Sequence, residues 1–101
     1  MRWMKTIRFK PKPECINEFL KEYHFVTEKA LKKGSIDSYF TAIIQEEVVY
    51  VGIFNKKETS ENTLGKGLDW LEKYKHMLLP YPDGDELALV EDGSIVDEVG
   101  N

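Results

Sequence analysis

The sequence predicts an α+β domain in which one antiparallel sheet carries two helices on a single face. Three observations predict it. Residues 39–54 hold two strand-like runs, Tyr-Phe-Thr-Ala-Ile-Ile and Val-Val-Tyr-Val-Gly-Ile-Phe, that are apolar on both sides of the pleat. A third strand-like run, residues 3–10, stops at two prolines and opens into a long amphipathic stretch. A second helical stretch and a last apolar run follow the central hairpin, which gives the order β-α-β-β-α-β. Such a split arrangement is ferredoxin-like, with both helices on one side of the sheet. With 101 residues the chain fills one domain, residues 1–101, and shows no repeat or linker.

In the first strand Trp3, Ile7 and Phe9 share one face, and Met4, Thr6 and Arg8 the other, because strand side chains alternate. Pro11 and Pro13 end it; proline suits a first helical turn, where its missing N–H costs nothing. The helix runs to about Lys33, with Gly34 as its C-terminal cap behind Lys32 and Lys33, which suit the negative end of the dipole. Cys15, Ile16, Phe19, Leu20, Tyr23, Val26, Thr27 and Ala30 form its apolar face. Phe25 falls opposite, as an isolated exposed ring or a partner contact.

In the hairpin, Phe40, Ala42 and Ile44 oppose Tyr39, Thr41 and Ile43, while Val49, Val51 and Ile53 oppose Val48, Tyr50, Gly52 and Phe54, across a Gln45-Glu46-Glu47 turn. One helix layer covers only one of these faces, so the other calls for a second layer, and in a chain this short that is another subunit. Asn55 and Glu58 have capping-box spacing, Thr59 or Ser60 offers a second start, and a helix is expected from there to Leu79. Gly65 and Gly67 each cost about 1 kcal/mol in a helix interior, so a break or kink is expected at Gly65-Lys66-Gly67. From Gly67 on, Leu71, Tyr74 and Leu78 share a face flanked by Trp70 and Met77, with His76 nearly opposite. Residues 79–85 read as a loop, residues 86–91 as the fourth strand, and Asp92-Gly93 as a hairpin turn returning a small fifth strand over residues 94–99.

The formal net charge of −4, with no basic cluster interleaved with aromatics, argues against nucleic acid and anionic membrane as partners. The charge is polarised: Arg2, Lys5, Arg8, Lys10 and Lys12 open the chain without an acid, and residues 83–98 hold seven acids without a base. Those opposite charges would help pair the first and last strands. A single cysteine excludes an intrachain disulfide, and no apolar run approaches the about 20 residues of a membrane span. A reducing, cytoplasmic setting is therefore expected.

Trp70 and Tyr74 stand one helical turn apart and, with Met77, line a sheet-facing edge. They are either core or the wall of a pocket for a flat or oily molecule oriented by the indole N–H and the phenol. Tyr39 and Tyr50 place rings in the core with hydroxyls at its edge, and the strand register decides which reaches a pocket. His24, beside Tyr23, flanks the apolar face and is a candidate base, histidine being the side chain that ordinarily titrates near neutral pH. Its alternative is a half-exposed flank residue. His76 and Glu72 lie four apart on a solvent face, and two ligands do not make a metal site. No metal and no cofactor is expected. Asp83-Gly84-Asp85-Glu86 reads as a solvated acidic turn. Arg8 points away from Ile7 and Phe9 and needs a carboxylate or anion if buried.

The run Ile7-Arg8-Phe9-Lys10-Pro11-Lys12-Pro13-Glu14, followed by Glu18-Phe19-Leu20, resembles the dimeric α+β barrel superfamily, in particular its antibiotic-biosynthesis-monooxygenase-like small proteins. The run Val51-Gly52-Ile53-Phe54-Asn55-Lys56-Lys57-Glu58 and the later Trp70-Leu71 match the pattern loosely. The resemblance implies a homodimer whose two sheets face each other as a barrel with helices outside. It also implies a pocket between sheet and helices, which in some members serves to oxidise electron-rich aromatics with dioxygen and neither metal nor flavin. Other relatives degrade haem, isomerise lactones or have no known reaction. Trp70 matches a tryptophan of the oxygenases, whereas an asparagine they carry nearby has no obvious match. The expectation is a homodimer binding a small hydrophobic or aromatic molecule, as a cofactor-independent monooxygenase or isomerase. The alternatives are a non-catalytic carrier of an oily acid or ketone and a structural dimer without a ligand.

Overall fold

The computed structural model of the chain describes residues 2–55, 70–82, 84 and 86–100. Strand β1 (Trp3–Phe9) leads through a 3-10 turn, Pro13–Cys15, into helix α1 (Ile16–Lys32). Strands β2 (Ser38–Ile44) and β3 (Glu47–Phe54) follow, then the described part of a second helix, α2 (residues 70–74), a 3-10 turn at Lys75–Met77, and strand β4 (Ala88–Ser94). The sheet has the order β2-β3-β1-β4 and is antiparallel throughout, the ferredoxin-like α+β arrangement.

The prolines act as expected, with Pro13 in the first 3-10 turn. Helix α1 ends in a Schellman motif: Gly34 takes φ 78°, its N–H donates to the Leu31 carbonyl at 3.1 Å, and the Ser35 N–H donates to Ala30 at 2.9 Å. The apolar stripe of α1 is buried through Phe19, Tyr23 and Thr27. Thr27 fits there because its hydroxyl donates to the Tyr23 carbonyl at 3.0 Å. Phe25 is 56% exposed, with the Lys29 ammonium 4.4 Å from its ring centroid.

The register pairs Thr6 with Val51 and Arg8 with Val49, and Thr41 with Tyr50 and Ala42 with Val49. Trp3, Lys5, Ile7 and Phe9 thus share a face with Val48, Tyr50, Gly52, Phe54, Tyr39, Thr41 and Ile43. This is the covered face: Phe9, Val48, Tyr50 and Phe54 join Phe19, Tyr23, Ile36, Met77 and Leu78 in the core. Lys5 lies there too, 2% exposed, its ammonium 5.9 Å from the Phe54 ring. The pairing of the basic first strand with the acidic last one holds: Lys5 faces Asp92 across β1 and β4, and Arg2 reaches Glu98 at 2.7 Å.

Several boundaries differ from those the sequence suggests. Asp92-Gly93 makes no hairpin: β4 begins at Ala88 and runs on through both residues to Ser94, pairing Gly93 with Met4, and residues 95–100 form no fifth strand. The long β1 offers ladder partners that outcompete a reversal, and the Ile95 N–H continues the pairing by donating to the Arg2 carbonyl at 2.9 Å. The second helix ends at residue 74 instead of Leu79. Lys10 and Lys12 draw the chain off its axis: the Lys12 N–H donates to the Met77 carbonyl and the Leu79 N–H to that of Lys10, both at 2.8 Å, and Leu78 bridges Pro11. The expected break at Gly65-Gly67 and the capping box ending at Glu58 lie outside the described residues.

The hairpin turn is tighter than expected, since Glu47 already belongs to β3 and pairs with Ile44. Gln45 and Glu46 alone turn the chain, at φ 49° and 69°. Two positive φ values suit the strand twist, but a side chain in this region costs about 1 kcal/mol. Glu46→Gly is therefore expected to stabilise the fold by about 1 kcal/mol, read as a higher midpoint of urea unfolding at unchanged slope. An unchanged or lower midpoint argues against strain in the turn.

Candidate functional site

Phe19 and Tyr23, one turn apart on α1, point at the sheet and order the rings around them. Phe9 of β1 meets both at 5.0 Å between centroids, and Tyr50 of β3 meets Tyr23 edge-on at 5.5 Å. Tyr50 lies along its own strand so closely that its hydroxyl occupies the space a Cβ on residue 52 would need, which is why Gly52 is a glycine. From the other helix Trp70 packs edge-on against Phe19 at 5.5 Å and Tyr23 at 5.2 Å, and Tyr74 lies 4.8 Å from Trp70. Tyr39 of β2 closes the array 6.0 Å from Tyr50.

The polar groups of this array are few. The Trp70 indole nitrogen is buried and has no hydrogen-bond partner among the described residues. The Tyr74 phenol donates to Glu22 Oε2 at 3.0 Å, fastening α2 to α1, and this bond, followed by desolvation, raises its pKa. Burial, then the neighbouring phenols, raises the pKa of Tyr23 well above the ordinary phenol value. Burial and the nearness of Tyr39 raise that of Tyr50 likewise. These phenols stay neutral at physiological pH.

Of the residues singled out by the sequence, Trp70 and Tyr74 stand side by side, and the register answers the question about the strand tyrosines: Tyr39 and Tyr50 both face the helices. Met77 is 3% exposed and belongs to the core. His24 lies outside the array with its side chain 67% exposed, on the rim of a shallow, open concavity of ≈ 380 Å³ lined by Lys21, Glu22, His24, Phe25 and Glu28. Its Nδ1 is 3.2 Å from the Tyr39 hydroxyl and its Nε2 3.6 Å from Glu28. His24 thus touches the array through Tyr39. His76 and Glu72 are both exposed. Among the described residues no three His, Cys, Asp or Glu side chains group as a metal site, and no helix is long and apolar enough to cross a membrane.

Sequence reasoning missed Tyr23 as the bridge between Trp70 and Tyr50, although its spacing from Phe19 signals a paired ring. Glu22 and Tyr81 were also missed, and neither carries a local signal. Arg8 does find a carboxylate: its Nη2 lies 3.2 Å from Glu47 Oε2, and the Tyr81 hydroxyl donates to Glu47 Oε1 at 2.6 Å. This trio sits on the sheet face away from the helices.

A sheet of this order with its helices on one face is a ferredoxin-like α+β fold. Solved structures bear this out. Rv0793 from Mycobacterium tuberculosis superposes with a TM-score of 0.78 at 13% identity, over 99% of this chain and 100% of that one. A candidate antibiotic biosynthesis monooxygenase from Chloroflexus aurantiacus gives 0.68 at 10% identity over 99% and 98%. NE2512, a Nitrosomonas europaea protein of unknown function, gives 0.70 at 12% identity over 99% and 94%. No protein-family sequence profile and no curated protein matches the chain. At these identities the likeness is one of fold.

The Glu47 trio makes stability depend on pH. The Tyr81 hydroxyl first, and Arg8 after it, hold the Glu47 carboxyl below its ordinary value of 4.5. Its contribution is therefore present above that value and is lost as pH falls through the lower folded-state pKa. The Tyr81 phenol is raised by burial and by Glu47, so its contribution is lost at the alkaline end, above 10. Tyr81→Phe is expected to lower Tm near neutrality and to flatten its fall between about pH 7 and about pH 3. Acid limbs that superimpose in the two proteins contradict this assignment.

Proposed function

We propose that the protein works as a homodimer that binds a small hydrophobic or aromatic molecule between sheet and helices beside Trp70 and Tyr74, and that it oxidises an electron-rich ring with dioxygen without metal or flavin. The observation that carries the binding reading is the buried Trp70 N–H, which has no acceptor among the described residues. A buried donor left unpaired costs about 1–3 kcal/mol, and a ligand carbonyl or phenolate oxygen offsets it. The half-buried Tyr74 ring beside it gives a flat ligand an aromatic neighbour. The fold likeness to the Chloroflexus aurantiacus protein supports the oxygenase reading. For an anthrone-type substrate the methylene carbon becomes a carbonyl and the second oxygen atom leaves as water. The substrate supplies all the electrons, so no external reductant is needed. His24, hydrogen-bonded to Tyr39 at one rim of the array, is the candidate base for the proton released on forming the electron-rich anion.

A second reading, a non-catalytic carrier, is favoured by the place of His24, which is exposed and already engaged by Tyr39 and Glu28. The two readings separate in one experiment. Dioxygen uptake with a panel of quinols and anthrones is expected to exceed the uncatalysed background and to fall in His24→Ala and in Trp70→Phe. Binding without uptake leaves the carrier. Trp70→Phe, which deletes the donor and keeps a ring, is expected to weaken binding about tenfold, measured by calorimetry with the panel member that binds most tightly. If no member binds, and none survives purification to be seen by mass spectrometry, the binding reading fails.

Dimerisation is supported by the open face of the sheet. Phe40 is 59% exposed there, Ile44 47% and Met4 38%, alongside Val49, Val51 and Ile53. An apolar surface of this breadth needs a cover, and the same face of a second copy is complementary to it. Light scattering at micromolar concentration is expected to give a dimer, with Phe40→Glu and Val51→Glu each weakening association about 100-fold or more, since each buries an unpaired charge. A monomeric wild type sinks the assembly.

A further inference from the structure

We propose that Trp70, Tyr74 and Glu22 form a proton-coupled electron-transfer couple that moves an oxidising equivalent from the buried indole to the rim of the fold. The proposal goes beyond ligand binding and does not depend on it. Its first element is contact: the Trp70 and Tyr74 rings lie 4.8 Å apart at 36°. Its second is a base on the phenol, since the Tyr74 hydroxyl donates to Glu22 Oε2 at 3.0 Å. Its third is the state of the indole. The Trp70 N–H is buried without an acceptor among the described residues, so one-electron oxidation by an oxidising radical, which takes the electron and is reduced to its anion, leaves a radical cation with no described group to take its proton. Such a charge in an apolar setting is costly and is relieved by an electron from a neighbour.

Of the described rings packed on Trp70, Phe19 is not oxidisable at these potentials. Tyr23 is almost fully buried, and its phenol donates to no base among the described residues, so losing an electron would leave it a buried cation. Tyr74 alone of the three gives up electron and proton together. The phenol electron fills the indole hole and the phenol proton crosses to the Glu22 carboxylate. The products are neutral Trp70, the neutral Tyr74 phenoxyl radical and protonated Glu22, with total charge unchanged. Glu22 lines the open concavity on α1, so its proton exchanges with solvent. A soluble thiol or ascorbate then restores the phenol by donating a hydrogen atom.

The test is pulse radiolysis of the intact protein with azide radical as the one-electron oxidant, in a Trp3→Phe background that leaves Trp70 as the single indole. The tryptophan radical is expected to decay into tyrosyl radical in a first-order step independent of protein concentration. Tyr74→Phe should slow that step about tenfold or more, a barrier rise of at least about 1.4 kcal/mol. Glu22→Gln preserves a hydrogen-bond acceptor but not a proton acceptor, so it should slow the step and change its solvent deuterium isotope effect. Tyr23→Phe should leave the rate within about twofold, under about 0.5 kcal/mol. The proposal is overturned if Tyr74→Phe leaves the conversion intact, if Tyr23→Phe abolishes it, or if Glu22→Gln leaves both rate and isotope effect unchanged.

Discussion

Four elements converge on the ring of Tyr23. It touches Phe9 of β1, Tyr50 of β3, Phe19 of its own helix and Trp70 of the second helix. Because each contact is edge-on or stacked within 6 Å, the ring sets both the height of α1 above the sheet and the place where the second helix rests. The condition behind it is the absence of a side chain at Gly52. A Cβ on residue 52 would collide with the Tyr50 hydroxyl, so the glycine lets that ring lie along its own strand. The helix contributes a second condition through Thr27, whose hydroxyl is satisfied on the Tyr23 carbonyl and so stays buried beneath the ring without an unpaired group. The position of Trp70 follows from these packing choices.

The same sheet presents a contrast between its faces. On the covered face the apolar rows of β1 and β3 disappear beneath rings. On the open face Phe40 and Ile44 of β2 are exposed and Val49, Val51 and Ile53 of β3 are half-buried within one chain. At one end of that face Arg8, Glu47 and Tyr81 hold one another, and Thr6 and Glu91 lie farther along it. The mutual satisfaction of the trio means that Arg8 needs no further counter-charge on that face.

Much of this was legible in the sequence because it rests on local rules. Period-two alternation sorted every residue of the hairpin to its correct face, and Gly34 behind two lysines marked the end of α1. The ring residues of the candidate site were legible by helical spacing. What was not legible depends on partners distant in sequence. Asp92-Gly93 has turn chemistry, yet Lys5 and Met4 stand directly opposite in the ladder and make continued pairing the better outcome. Continuation of the second helix to Leu79 is likewise overridden at Leu78, which bridges Pro11. Nothing local announces that Lys5 is buried, or that Glu22 and Glu47 each accept from a tyrosine far along the chain.

The two hydrogen-bonded phenols at the ends of the array have different neighbours, and the difference bears on what each can do. Tyr39 shares its hydroxyl with an exposed imidazole that a carboxylate also approaches, so a proton there has a route to water. Tyr74 donates to a carboxylate and stands directly on an indole that has no acceptor of its own among the described residues. Between them, Tyr50 and Tyr23 are buried, and their ionised forms are disfavoured. Charge cannot cross this middle as phenolate, since a buried anion without a partner is far costlier than a neutral phenol. Proton exchange is thereby favoured at the two rims, and the buried centre is left to apolar contact around the Trp70 indole.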